Sequence, residues 1–322
     1  MALLKSGAGS PVVAYVQLGL AMAIVGSSVV AGKLVAASMP VMLASAMRFA
    51  IAAPILIAML LWREGRITWP NRADCLTLFL QALTGVFLFS VFLLFGLKTS
   101  GALEAGLITG TLPAVTAVMA VVLLRERPHR WQWLGIGFAV LGAALLHVHE
   151  ATHVTGGQRG GGGAAANAQG MVLVLGAVVC EGLFVVLGKR THGRVSALTI
   201  ATAMSVLGFL MFLPFAAVEA MHFPLASLRW QDVAAVLYFG VVVSVGAFWL
   251  FYAGLSQTSA ATAGAFMAFL PLSAVVLSAV VLGETLTPKH LAAGAFVLLG
   301  IGCAAWPKNQ STAARTEGRR LA

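Results

Sequence analysis

His149-Glu150-Ala151-Thr152-His153 fits the pattern H-E-x-x-H, in which two histidines one helical turn apart hold zinc and the glutamate activates water. Its setting argues against that chemistry. Gly156-Gly157 follows closely, where helix is not expected to persist, and beyond the nearby His147 no third protein ligand is evident. Adventitious metal binding is the other reading of the segment. No Walker loop, G-x-S-x-G elbow or dinucleotide fingerprint occurs, so ATP is not expected to act on this chain directly, and neither a cofactor nor a resident metal is expected.

Two charged residues fall inside long apolar runs, Arg48 and Glu181. A charge at that depth costs ~2.5–3.5 kcal/mol on insertion scales and usually faces a cavity or a partner. Arg48 is suited to grip a substrate carboxylate bidentately, and the alternative is a structural arginine satisfied by helix-end carbonyls. Glu181 suits proton exchange during transport, and the alternative is a buried carboxyl that stays neutral. Counted from the outer ends of their runs, they lie roughly 13 and 18 Å deep at 1.5 Å per residue. The expectation is therefore that they neighbour each other or share one cavity.

Further candidates are polar or aromatic residues in apolar surroundings. Trp249 and Tyr252, beside Phe248 and Phe251, could contact an apolar or aromatic substrate or simply pack, and Tyr15, Gln17 and Gln81 are polar candidates of the same kind. Pro113 and Pro271 lie within helical runs, where a missing N–H and a ring clash bend the chain, so they are hinge candidates or static bends. Small residues at four-residue spacing surround them, Gly101, Ala105 and Thr109 near one and Ala260, Gly264 and Ala268 near the other, which favours close helix packing. Glu104 and Lys98 flank an outer turn, where the acid has a plain dipole role. Lys33 and Lys189 sit at helix ends, where lysine stems reach the interface.

The elements that must hold these residues follow from composition. Hydrophobic residues make up 60% of the 322 positions and charged residues 9%, against roughly a quarter charged in a soluble domain. Apolar runs occur at 12–36, 40–62, 74–97, 102–124, 130–148, 169–189, 195–218, 232–255, 259–282 and 289–306. Each approaches the ~20 residues of helix that cross a bilayer, and none alternates as a barrel strand would. The reading is an all-α membrane protein of ten transmembrane helices. Lys5 precedes an uncharged stretch up to Lys33 that is too long for a signal-peptide core, so it reads as a retained first helix. Cys75, Cys180 and Cys303 suggest no disulfide framework.

The net charge of +10 reads as topology, not as nucleic-acid binding, because the bases crowd into short loops. Of the 20 Lys and Arg, 14 fall at the termini and in the second-to-third, fourth-to-fifth and sixth-to-seventh loops, with 5 on the opposite side and Arg48 within a span. By the positive-inside rule both termini are cytoplasmic, in a multi-pass protein of the plasma membrane, the inner membrane in a prokaryote. The only long polar connection, with Gly156-Gly157 and Gly160 to Gly163, reads as flexible linker. The chain thus divides into residues 1–148, a five-helix repeat; 149–168, an outer linker; 169–306, a second five-helix repeat; and 307–322, a basic cytoplasmic tail.

The halves repeat. Val29-Val30-Ala31-Gly32-Lys33 recurs as Val185-Val186-Leu187-Gly188-Lys189, 156 positions on, and Gly96-Leu97, Pro113, Glu126 and Gly142 recur as Gly254-Leu255, Pro271, Glu284 and Gly300 at an offset of 158. An odd number of helices per half inverts the second relative to the first, the arrangement of many secondary transporters, whose site lies near the midplane between repeats.

These residues resemble the drug/metabolite transporter superfamily, specifically its EamA-type exporters, over about residues 12–306. The resemblance rests on Gly26-Ser27-Ser28 with Lys33, Arg48, and Leu112-Pro113 followed by Glu126. In the second half it rests on Leu270-Pro271-Leu272, Leu282-Gly283-Glu284-Thr285-Leu286-Thr287, Gly294 and Gly300. It implies a five-plus-five helix arrangement that exports amino acids or other small metabolites through a central cavity by alternating access. Two departures stand out: no arginine matches Arg48 around Thr202 to Ser205, and Arg125-Glu126-Arg127-Pro128 is more basic than the Gly-Glu form. Drugs or other metabolites on the same fold, a membrane metalloprotease and a non-transporting scaffold are the alternatives. The expected partners are a small-molecule substrate, the bilayer and a coupling proton, with oligomeric state left open.

Overall fold

The computed structural model describes residues 11–65, 70–99, 108–153, 164–191, 193–224, 228–282 and 288–306. Among the described residues all regular structure is helical. In chain order these are α1 (Pro11–Ser38), α2 (Val41–Glu64), α3 (Arg72–Ala82, a π-helical turn Leu83–Leu88, then Phe89–Thr99), α4 (Leu112–Leu124, preceded by a helical turn at 108–110) and α5 (Arg130–His153). There follow α6 (Ala164–Arg190), α7 (Ala197–His222), α8 (Trp230–Tyr238, a π-helical segment Phe239–Ala247, then Phe248–Gln257), α9 (Ala260–Met267 and Phe269–Leu282) and α10 (Pro288–Ala304). Among the described residues seven stretches are long and apolar enough to cross a membrane, and Leu112–Leu124 and His290–Ala304 are shorter apolar helices.

Local chemistry sets several helix ends. Asn71 accepts the Asp74 N–H at 2.8 Å and Ser196 the Thr199 N–H at 3.0 Å, each capping a first turn. Gly65, at φ 70°, closes α2 by donating its N–H to the Leu61 carbonyl. Helix extends into both ends of the stretch expected as linker at 149–168, reaching His153 and resuming at Ala164, because Ala164-Ala165-Ala166 are strong helix formers. The backbone of the H-E-x-x-H segment is accordingly helical, contrary to the expectation from its neighbouring glycines. Its side chains, those of Lys33 and Lys98, and the whole of Glu104 and Glu284 lie outside the described residues.

The two prolines interrupt their helices at corresponding points. Pro271 has no N–H to offer the Met267 carbonyl and crowds it; α9 breaks at Ala268, whose N–H turns to the Ala265 carbonyl at 3.2 Å. Ahead of Pro113 the chain breaks at Thr111, whose N–H bonds the Ile108 carbonyl at 3.0 Å. Both interruptions are tight i→i+3 turns.

Helices of one half pack on helices of the other: α2 on α7, α5 on α10, α3 and α4 on α6, and α8 and α9 on α1. Glycines set the closest crossings. A Cβ on Gly142 would stand 2.8 Å from the Ala293 carbonyl oxygen, and one on Gly300 would stand 2.7 Å from that of Gly135. One on Gly96 would meet the Gly170 carbonyl and Val174, while one on Gly254 would meet the Ala14 carbonyl and Leu18. One on Gly26 would strike Leu270, Ser273 and Ala274, and one on Gly182 would approach Val115, Thr116 and Met119. Each pair follows the 156 to 158 offset on both sides of the contact. Pro11, the loop 126–129, Lys189, Ser256 to Ser259 and Trp306 line one cavity. The start of α1, the ends of α4, α6 and α8, the starts of α5 and α9 and the end of α10 thus gather at one end of the bundle, called here the terminal end.

Candidate functional site

Arg48 lies seven residues into α2, about 10 Å along the helix. Its guanidinium sits 4.3 Å from the centre of the Phe49 ring, a favourable placement for a cation. The side chain is half-buried, and its Nε is buried with no hydrogen-bond partner among the described residues. An unsatisfied charged donor inside a span is costly, and a guanidinium is suited to hold a carboxylate.

Glu181 lies on α6 and is half-buried. Arg48 and Glu181 form no ion pair among the described residues. Glu181 lies seventeen residues from the first residue of α6, roughly 25 Å along the helix. A series of ring contacts runs from Phe49 to Phe184. Phe49 stacks on Phe212 with centroids 6.1 Å apart and meets Phe248 at 6.4 Å; Phe248 meets Phe184 at 6.3 Å. Phe184, one turn beyond Glu181, stacks on Phe251 at 6.0 Å and meets Tyr252 at 5.8 Å.

Gln81 and Tyr252 are brought together. The Gln81 Nε2 donates to the Phe184 carbonyl and to the Tyr252 hydroxyl, each at 2.9 Å. Gly188 makes room for this, since a Cβ there would lie 2.5 Å from the Gln81 nitrogen. Gln81 is 0% and Tyr252 2% exposed, so both belong to a closed polar cluster and neither lines an open cavity. Among the described residues the Gln81 Oε1 has no hydrogen-bond partner. Glu181 is within electrostatic range of Tyr252.

At the terminal end lies a cavity of about 830 Å³, whose wall includes Tyr15, Glu126, Gln132, Lys189, Gln257 and Thr262. Tyr15 stacks on Phe266 at 5.8 Å. Glu126 accepts the N–H groups of Ala260 and Ala261 at 2.9 and 3.3 Å, so an acid of the first half satisfies the opening turn of a second-half helix and complements its dipole. Lys189 Nζ donates to the Leu255 carbonyl at 3.1 Å, and Gln132 Nε2 donates to Thr262 Oγ1 at 2.9 Å. Gln17 accepts from Gln257 Nε2 at 3.2 Å. Trp249 stands apart from these groups and receives the exposed Arg63 guanidinium at 5.0 Å from its ring centre.

Sequence reading did not single out Glu126, Gln132 or Thr262 as site residues. The signals were present: Glu126 recurs as Glu284, and Ser259-Ala260-Ala261-Thr262 has the spacing of a helix cap. Outside the spans, Arg194 is held above the usual arginine range by its hydrogen bonds to, and charge attraction with, Asp74, at 2.6 Å for the shorter contact. Among the described residues no three His, Cys, Asp or Glu side chains converge as a metal site.

The model of the EamA-like transporter family matches the chain twice, over residues 13–148 and 168–306. The chain belongs to the EamA-like transporter family. This EamA-like chain is 39% identical over 300 residues to the uncharacterized transporter YetK of Bacillus subtilis (strain 168), spanning 93% of this chain and 89% of that one. It is 27% identical over 232 residues to a probable terminal-alkyne amino-acid exporter of Streptantibioticus cattleyicolor, covering 72% and 73% of the two chains. It is 26% identical over 189 residues to the threonine/homoserine exporter RhtA of Escherichia coli (strain K12), covering 58% and 59%. A solved crystal structure superposes with a TM-score of 0.71 over 90% of this chain and 96% of its own, at 18% identity, a likeness of fold. With its apolar helices, family membership makes this a multi-pass membrane protein of a transporter family.

Proposed function

We propose that the protein is a secondary transporter that exports amino acids or related small metabolites by alternating access, with a central cavity between two inverted five-helix halves and both termini in the cytoplasm. The observation that carries this reading is Arg48, a cation within a span whose Nε is buried and unpartnered, poised for a carboxylate. Two related proteins are named amino-acid exporters. The matched glycine crossings and the two family-model matches support the inverted halves. The basic loops support the cytoplasmic termini, in the plasma membrane or a bacterial inner membrane. Pro113 and Pro271 are the proposed hinges, since each interruption leaves a helix that can swing on one tight turn. Glu181, without a hydrogen bond or ion pair among the described residues, is the proposed proton-coupling group.

Counterflow in proteoliposomes over a panel of radiolabelled amino acids, with and without a pH gradient, tests this. Flux of one amino-acid class that is lost in Arg48→Ala and loses its pH dependence in Glu181→Gln is the expected result. Flux of a cationic drug or another metabolite, with no amino acid moved, would keep the transporter and overturn the substrate class.

A further inference from the structure

A groove of about 480 Å³ runs along α5, lined by Arg130, Trp133, Leu134, Gly137, Phe138 and Leu141. This face turns away from the α5–α10 crossing, which uses Gly135, Ala139 and Gly142. Trp133, Leu134 and Leu141 are exposed, and a Cβ on Gly137 would meet nothing within 4 Å, so the missing side chain is what gives the groove its depth. Phe138, paired with Phe296 of α10 at 6.0 Å, closes one side.

The groove is apolar along its length and cationic at its head. Arg130 opens α5, where the helix dipole adds positive charge, and the exposed Arg125 and Arg127 precede it on the same loop. The acid among them, Glu126, bonds the Ala260 and Ala261 N–H groups, so three guanidinium groups share one carboxylate in this segment. The Trp131 and Trp306 rings, 5.9 Å apart at the same end, are the residue type that marks the headgroup level of a bilayer. Arg130 stands over Trp131 at 5.7 Å.

We propose that this groove is a binding site for an anionic glycerophospholipid, with an acyl chain along Leu134, Gly137 and Leu141 and the phosphate on Arg130. A basic head above an apolar trough matches a lipid phosphate joined to its chain, and juxtamembrane bases attract anionic lipid.

The test is native mass spectrometry of the full-length protein released from vesicles of equal parts phosphatidylglycerol and phosphatidylcholine. Wild type should retain phosphatidylglycerol over phosphatidylcholine by about fivefold, the scale expected of one arginine near a lipid surface. Arg130→Gln should bring the ratio near one. Gly137→Leu, which has room, should lower adducts of both lipids. Arg72→Gln, an exposed arginine on α3 at the same end, should change neither. Equal losses in Arg72→Gln and Arg130→Gln would overturn the site in favour of general charge attraction. A protein dimer that Gly137→Leu dissolves without altering lipid adducts would overturn it in favour of a second copy. Brominated phosphatidylglycerol gives an independent reading: its quenching of tryptophan fluorescence should fall in Trp133→Phe, and unchanged quenching counts against the site.

Discussion

The Glu219 carboxylate, near the end of α7, accepts the Leu43 backbone N–H in the first turn of α2 at 2.8 Å. Its counterpart lies at the other end of the same helix pair, where Ser196, the cap of α7, donates its hydroxyl to Glu64 at the end of α2 at 2.6 Å. Each of two long packed helices thus carries the acid that serves the opening turn of the other. Losing such a contact costs about 1 kcal/mol. Glu219→Ala and Glu64→Ala should each lower the thermal midpoint in detergent. Because the sites are a helix length apart, the double variant should show the sum; a large non-additive remainder would mean that the ends communicate.

Glu126 joins the halves differently, because both N–H groups it satisfies belong to α9. Glu126→Ala should loosen the terminal end more than Glu126→Gln, whose amide oxygen still accepts. The readout is thiol labelling of Gln257→Cys at the cavity wall, faster by several-fold in the alanine background. Equal labelling in all three backgrounds would show that the cap does not hold this end closed.

Two glycines of α5 should respond oppositely to the same change. Gly142→Ala forces a Cβ onto the Ala293 carbonyl and Val297, and overpacking of this kind costs about 1–3 kcal/mol. Gly137→Ala meets open space and should gain up to about 1 kcal/mol of helix propensity. Gly300→Ala should cost as much as Gly142→Ala, since it strikes the corresponding backbone at Gly135 and Ala139. Comparing the three thermal midpoints checks the crossing, and a destabilised Gly137→Ala would contradict it.

The Gln81–Tyr252 bond is accessible to a double-mutant cycle. Tyr252→Phe removes one acceptor from a buried amide and should cost about 1 kcal/mol. In the background of Gln81→Met that cost should largely vanish, because the donor it leaves stranded is gone. If Tyr252→Phe costs the same in both backgrounds, the hydroxyl is held by another group.

Much of this molecule was legible in the chain. Apolar runs located the helices to within a few residues, because lipid demands long internally bonded segments whatever their neighbours. The Pro113 and Pro271 interruptions follow from the proline ring itself, and the Gly142 and Gly300 landmarks pointed to the two glycines that meet α10 and α5. Arg48 and Glu181 stood out because charge is rare in a span. How the two stand to each other is not legible there, since depth counted along two separate runs does not say which faces the packed helices turn together.

Other features exist only once the helices are packed. The π-helical segments Leu83–Leu88 and Phe239–Ala247 occupy corresponding places in α3 and α8, yet an i→i+5 ladder leaves no pattern in composition; at Gly85 and Gly240 they receive Phe184 and Ile51 against bare backbone. What Glu219, Glu64 and Glu126 bind shows only in the packed structure, where the groups they serve arrive from 132 to 176 residues away. The sequence by itself determined that the chain is apolar enough for lipid to be its solvent, where its long apolar helices lie and that two stretches of it are alike, because those are properties of composition and period. Which groups meet was decided by tertiary structure, because hydrogen bonding across helices depends on angstrom-scale approach that spacing along the chain does not encode.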